Sequence, residues 1–258
     1  MMKVENPKRR NVMRDYKKET EERVAFIKEL VEKSHSRGIV FGNSGGKDCA
    51  LVGILSKMAC ENTVSVMMPC GSSVNFGKDL EDAKALCEKF GIENRMVDLT
   101  AVKEAEIAAL EKTGVELNSQ ALTNIAPRLR MTTLYAVGAA EGRLVAGTGN
   151  RSERYMGYFT KWGDGGHDFN PITDLTVGEV YDFLRYLGAP ASIIEKAPSA
   201  GLFEGQTDEK EMGVTYAAID KYILTGEATD EDRAVIDRYH ARSLHKLNPV
   251  PTFEAWKK

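Results

Sequence analysis

Short β-branched runs alternate along this chain with longer stretches in which apolar residues recur every three or four positions. Val24, Ile27, Leu30 and Val31 fall among Glu and Lys at helical spacing and predict an amphipathic helix ending near Gly38. Ile39-Val40-Phe41 follows; it is too short for a helix, stops at Gly42, and predicts a buried parallel strand. A helix from Asp48 to about Met58 leads into a second strand, Thr63 to Met68, closed by Pro69 and Gly71. Next come a helix from Asp79 to Phe90, a strand from Arg95 to Leu99 and a further helix. A long helical region from about Ser119 to Ala140, interrupted or kinked at Pro127, precedes the strand Leu144-Val145-Ala146, which ends at Gly147. This alternation predicts an α/β fold, an open parallel sheet joined by βαβ crossovers and covered by helices on both faces, in the Rossmann-like manner.

Beyond Gly147 the character changes. Residues 148 to 175 carry glycines, charges and aromatic residues with little periodicity, the pattern of a functional loop system. Helices resume at 176 to 188, around 208 to 224 and at 230 to 246, with a flexible connector from Gly201 to Gly205, so the C-terminal part is helical. With no repeat or low-complexity tract, the 258 residues are expected to form a single domain, 1–258.

Composition narrows the partners. A formal net charge of -3 gives no sign of a polyanion binder, so nucleic acid is not an expected partner. The four cysteines, Cys49, Cys60, Cys70 and Cys87, form no CxxC pair and indicate neither a zinc site nor a disulfide framework. Neither a signal-type apolar segment nor a membrane-length apolar stretch is found, and a reducing cytoplasm is the expected location, with no membrane association.

The chemistry starts at the turn after the first strand, Gly42-Asn43-Ser44-Gly45-Gly46-Lys47-Asp48-Cys49. Ligands of parallel sheets bind at the carboxyl ends of strands, and two glycines there let successive N–H groups turn inward beside the Ser44 hydroxyl and a helix N-terminus. Together they make an anion nest. Asp48 would be repelled by bare polyphosphate, so a functional role for it implies a magnesium ion bridging to the phosphates. An ordinary glycine turn with Asp48 as a helix cap is the alternative. A Walker A loop is disfavoured, because Phe41 stands at the first glycine position and Asp48 replaces the hydroxyl residue. Cys49 has no base near it in sequence and is disfavoured as a nucleophile.

The loop resembles the SGGxDS loop of the ATP pyrophosphatases, with Cys49 where that family usually has serine. That resemblance implies an adenine nucleotide alpha hydrolase-like fold, with ATP bound at Gly42 to Cys49 and cleaved between its α- and β-phosphates. Distant motifs sharpen it. Gly147 to Glu153, Gly157 to Asp168, Lys196 to Leu202, Gln206 to Glu209, Gly213 to Tyr216, Asn124 to Met131 and the pair His245-Lys246 resemble the ammonia-dependent NAD⁺ synthetases in order along the chain.

Several roles are implied by this resemblance. Asp48 and Glu153 would hold magnesium, and Asp48, Glu153 and Lys161 would carry catalysis. Thr148 and Ser199 would contact ATP, while Arg128, Lys161, Asp168, His245 and Lys246 would contact deamido-NAD⁺. The implied reaction is amidation of deamido-NAD⁺ by free ammonia through an NAD-adenylate, releasing AMP and pyrophosphate. About forty residues precede the loop, too few for the amidase domain of glutamine-dependent relatives, so no glutaminase domain is expected. A homodimer is also implied, and Leu122, Ile125, Leu129, Leu134 and Val137 could face a partner or equally the core. Val177 stands where many relatives have an ATP-contacting lysine, and His167 where they often have alanine. The stretches 71 to 78 and 199 to 213 are candidate lids. Another adenylating amidotransferase of the same superfamily, or a non-catalytic adenine-nucleotide-binding module, is the alternative reading.

Overall fold

A computed structural model describes residues 14–71, 77–196 and 208–253. Four parallel strands, β1 (Gly38–Gly42), β2 (Thr63–Met67), β3 (Glu93–Met96) and β4 (Arg143–Ala146), form one sheet in the order β3-β2-β1-β4. The described helices are α1 (Tyr16–Lys33), α2 (Lys47–Ala59), α3 (Lys78–Phe90), α4 (Thr100–Glu111), α5 (Ser119–Glu141), α6 (Arg151–Met156), α7 (Val177–Leu187), α8 (Ala191–Ile194), α9 (Asp208–Met212), α10 (Tyr216–Thr225) and α11 (Asp230–Leu247).

Alternation along the strands decides which face each helix covers. Ile39 and Phe41 of β1 point into a core built with Leu51, Ile54 and Leu55 of α2, Ile27 of α1, and Val180, Phe183 and Leu184 of α7. Val40 between them points the other way and joins Val64, Val66 and Val145 beneath Ala126, Leu129, Leu134 and Val137 of α5. The sheet is therefore clothed on both faces, as the hydrophobic runs predict. A third core, Met156, Val177, Met212, Tyr216, Ile219 and Ile236, joins the C-terminal helices to α6 and α7.

Several boundaries move. The third strand lies at Glu93–Met96 rather than Arg95 to Leu99, because it is an edge strand whose residues are largely exposed and show no apolar alternation. The helix read around 208 to 224 is two, α9 and α10, parted at Gly213, whose φ is +75°. Pro127 lies inside a continuous α5 and does not interrupt it. The short helices α6 and α8 carry too few turns to show periodicity. The candidate dimer stripe is largely internal: Ile125 is buried, and Leu129, Leu134 and Val137 pack on the second core.

The strand order sets the site. From β1 the chain moves outward to β2 and β3, then returns to β4 on the opposite side of β1. The two strands flanking this reversal deliver their following loops to the same crevice, the expected ligand position in a parallel sheet.

Candidate active site

The β1–α2 loop is held by its own side chains. Asn43 is buried; its amide donates to Ser65 Oγ at 3.1 Å, and its Oδ1 accepts from Gly45 N at 3.1 Å. Ser44 Oγ accepts from Gly46 N at 3.3 Å and lies 3.3 Å from Cys49 Sγ. Gly45 has φ +74°, and a Cβ there would meet Asp79 O at 2.1 Å, so only glycine fits this turn. Cys49 is buried, and burial pushes its thiol up, which leaves a protonated group bonded to Ser44 rather than a nucleophile.

The β4–α6 loop brings the second carboxylate. Asn150 caps α6 by accepting from Glu153 N at 3.0 Å, and Glu153 Oε2 accepts from Asn150 N at 3.2 Å, a reciprocal capping box. The amide of Asn150 also donates to Asp48 Oδ1 at 3.1 Å, so one residue ties both loops together. Lys47 completes the constellation: its Nζ donates to Asp48 Oδ2 at 2.7 Å and lies 3.8 Å from Glu153 Oε1. Burial, and next the Asp48 carboxylate, push Glu153 up to about 8, against the pull of Lys47. Burial alone would lower Lys47, yet Asp48 and Glu153 raise it well above the ordinary lysine range.

Asp48 and Glu153 offer hard oxygen donors, and a cation already lies against both, so the pair fits a divalent ion. Among the described residues no group of three or more His, Cys, Asp or Glu could hold a metal by itself. A magnesium ion here would draw its remaining ligands from phosphate and water.

A cavity of about 980 Å³ opens over these groups. Gly42, Asn43, Ser44, Gly46, Lys47, Asp48, Cys49, Thr148 and Glu153 line it, as do His245 and Lys246. Four of the five residues anticipated for the dinucleotide lie close together, with His245 and Lys246 lining the cavity and Arg128 and Lys161 beside them, outside its lining. Arg128 Nη2 reaches Lys161 O at 3.5 Å, Lys161 Nζ donates to His245 O at 2.6 Å, and Lys246 Nζ donates to Gly157 O at 2.7 Å and Phe159 O at 2.6 Å. Asp168 is engaged apart from them, accepting from Tyr135 OH at 3.1 Å and Val145 N at 2.8 Å, and so holds its segment beside β4. Ser199 lies outside the described residues, as do 72 to 76 and 199 to 207 of the two candidate lids. His167 packs over Gly147, where a Cβ would meet its ring at 2.4 Å, and burial lowers its basicity.

Other groups in the site fall inside the quoted motifs or beside them but were assigned no role from sequence. Asp208, buried, accepts from Tyr216 OH at 3.0 Å, and the rings of Tyr181 and Tyr216 flank Lys47 at 6.0 and 5.8 Å. Arg130 lines the cavity with its Nε on Met68 O at 3.0 Å, and Lys196 pairs with Asp79 and Asp82. Asn150 was legible, since an Asn three residues before a Glu spells a capping box; Asp208 and Tyr216 stand in quoted motifs, but nothing local assigns them a role.

A two-sided parallel sheet with a glycine nest, a helix N-terminus and two carboxylates at its reversal point defines a nucleotide-binding α/β protein of phosphate-handling type. The chain matches the NAD synthase family model over residues 19–250 and belongs to that family. It is 46% identical over 234 residues to the NH(3)-dependent NAD(+) synthetase of Carboxydothermus hydrogenoformans, covering 90% of this chain and 95% of that one. Among solved structures it is similar to the NMN synthetase from Francisella tularensis, at TM-score 0.88 and 35% identity over 93% of this chain and 99% of that one. It is also similar to the NH3-dependent NAD synthetase from Campylobacter jejuni in complex with the nitrate ion, at TM-score 0.75 and 32% identity over 93% and 100%.

Proposed function

We propose that this chain is a C–N bond-forming ligase that amidates deamido-NAD⁺ with free ammonia, consuming ATP and forming NAD⁺ through an NAD-adenylate. The observation that carries the reading is the convergence of Asp48 and Glu153 on the glycine nest in a member of the NAD synthase family. The nicotinate carboxylate attacks the α-phosphorus of ATP; the bridge to the β-phosphorus breaks and pyrophosphate leaves. Ammonia then adds to the acyl carbon, AMP departs with the C–O bond electrons, and the amide nitrogen gives up a proton.

The protein's part is positioning and charge. The N–H groups of Gly45 and Gly46, now turned onto Asn43 and Ser44, exchange those acceptors for phosphate oxygens at the positive end of α2. Val66, Met67, Met68, Pro69 and Leu134 give an apolar wall for the adenine. A magnesium ion held by Asp48, Glu153 and the phosphates would neutralise charge gathering on the departing pyrophosphate. Arg128, Lys161 and Lys246 supply cations, with His245 beside them, for an anionic dinucleotide. Thr148 and Ser199 add hydroxyls to ATP, and Asp168 acts by holding the strand edge beside the site.

The same reading makes the chain a single-domain homodimer, and the four unpaired cysteines accord with a cytoplasmic location. Among the described residues no helix is long and apolar enough to cross a membrane. The TM-score of 0.88 to an NMN synthetase favours one second reading, in which a mononucleotide is amidated instead. Incubation with ATP, magnesium and ammonium, with deamido-NAD⁺ or nicotinate mononucleotide supplied separately, tests both. NAD⁺, AMP and pyrophosphate in equal amounts are expected from the dinucleotide, with glutamine failing to replace ammonium. Product from the mononucleotide alone would overturn the first reading.

A further inference from the structure

Lys47 is the first residue of α2, directly after the Gly46 cap. An ammonium there faces the positive end of the helix dipole, and at 7% exposure it has given up its hydration. An aliphatic side chain would serve the fold with neither penalty. What compensates is local: Asp48 Oδ2 at 2.7 Å, Glu153 Oε1 at 3.8 Å, and two tyrosine rings that close the space around Nζ. Those carboxylates are the pair read above as holding the divalent ion, so the ammonium takes the place between them that a metal would need. Of the other cations lining the cavity, Lys196 is held by Asp79 and Asp82, Arg130 at the Met68 carbonyl and Lys246 at the Gly157 and Phe159 carbonyls, while Arg238 and Arg242 line it from α11. Val177, buried in the third core, brings no charge from the first turn of α7.

We propose that Lys47 is a resident cation of the phosphate site: between turnovers its ammonium holds Asp48 and Glu153 together and keeps a free divalent ion out, and it passes to the polyphosphate of ATP when nucleotide and metal arrive together. The inference rests on the reading of Asp48 and Glu153 as metal-holding. A free divalent ion must displace a buried ion pair and leave the ammonium without a partner, which is costly. Metal arriving with ATP removes that cost, because the phosphates offer the ammonium a new partner and its flexible four-carbon stem lets the head swing onto them. Metal and nucleotide therefore bind in a mutually dependent way, and by linkage each tightens the other.

Manganese is the probe. Free Mn²⁺ is titrated by electron paramagnetic resonance against the whole chain, with and without the non-hydrolysable α,β-methylene analogue of ATP, for the wild type, Lys47→Met and Lys47→Arg. The wild type is expected to bind Mn²⁺ at least ~tenfold more tightly with the analogue than without it. Lys47→Met should bind Mn²⁺ alone at least ~tenfold more tightly than the wild type, lose most of that coupling and hold the analogue more weakly. Lys47→Arg, which keeps the charge, should stay with the wild type. A folded Lys47→Met whose Mn²⁺ affinities match the wild type's in both conditions overturns the proposal while leaving the metal reading intact. Should Lys47→Met fail to fold, equal Mn²⁺ affinity of the wild type with and without the analogue overturns it instead. No Mn²⁺ binding by the wild type even with the analogue removes the metal reading itself, and the proposal with it.

Discussion

Asp48 and Glu153 each do two jobs, and the physical chemistry of each side chain shows both. Glu153 closes the capping box of α6 with one oxygen and faces Lys47 with the other. Asp48 accepts from Asn150 and Lys47 while standing in the first turn of α2. Replacing either carboxylate by its amide keeps the size and most hydrogen bonds but removes an ionisable oxygen able to serve a metal. Asp48→Asn and Glu153→Gln should therefore each slow adenylate formation by ~10²–10³-fold, with deamido-NAD⁺ affinity changed far less. Single-turnover release of pyrophosphate, set beside equilibrium binding of the dinucleotide, separates the two effects; parallel losses in both would contradict a role at the phosphates. The glycine nest and Asp48 were legible at this scale because a phosphate loop is a local device. The anchoring of Cys49 on Ser44 was not, since only the folded loop shows where the thiol points.

At the scale of elements, the β1–α2 turn is limited by a neighbour. Gly45 carries φ +74° and lies against the Asp79 backbone of α3, so Gly45→Ala combines left-handed strain with a clash that no rotamer relieves. A loss of about 1–3 kcal/mol in denaturant unfolding is expected, with weaker ATP binding; an unchanged midpoint would refute the tightness of the turn. A second junction ties α1 to the loop before α7. Arg23 grips Asp174 with two bonds, at 2.7 and 2.9 Å. Burial alone would raise the Asp174 carboxyl, yet Arg23, with Arg14 behind it, holds it below the usual range. A depressed folded-state value means that this contribution is present above the unfolded value of about 3.8 and is lost as pH falls through the folded one. Stability measured from pH 5 downward should thus fall less steeply in Asp174→Asn than in the wild type, by about 1 kcal/mol at most, because the Asp174 side chain is 49% exposed and screened by water. Identical acid slopes would show that the fork contributes nothing. Helices with full amphipathic faces, such as α1 and α7, were readable from spacing. The edge strand β3 begins two residues and ends three residues earlier than read, because its exposed side chains leave no alternation to read.

The whole molecule is a sheet with a core on each face and a third core that brings the C-terminal helices to the site. The joint is close: Gly157 ends α6 with φ +65°, and a Cβ there would meet Ser243 of α11 at 2.0 Å. Lys246 of α11 donates to the carbonyls of Gly157 and Phe159, which ties α11 to the loop that carries Lys161. Lys246→Met should cost about 1–3 kcal/mol of stability by leaving two carbonyls without their cation, and should raise KM for deamido-NAD⁺ more than it lowers kcat. Thermal melting and steady-state kinetics on the same preparation check both halves of that expectation. Sequence by itself determined the succession of the four strands and the longer helices, the phosphate loop and the motifs that place the chain near NAD⁺ synthetases, because periodicity, glycine turns and capping are written in neighbouring residues. Tertiary structure alone decided that β4 lies beside β1, that Asp48 and Glu153 therefore share Asn150 and Lys47, and that Asp168 holds a strand edge apart from Lys161 and Lys246. Strand order follows from how whole faces bury against one another, and no local pattern encodes which distant loops that burial brings together.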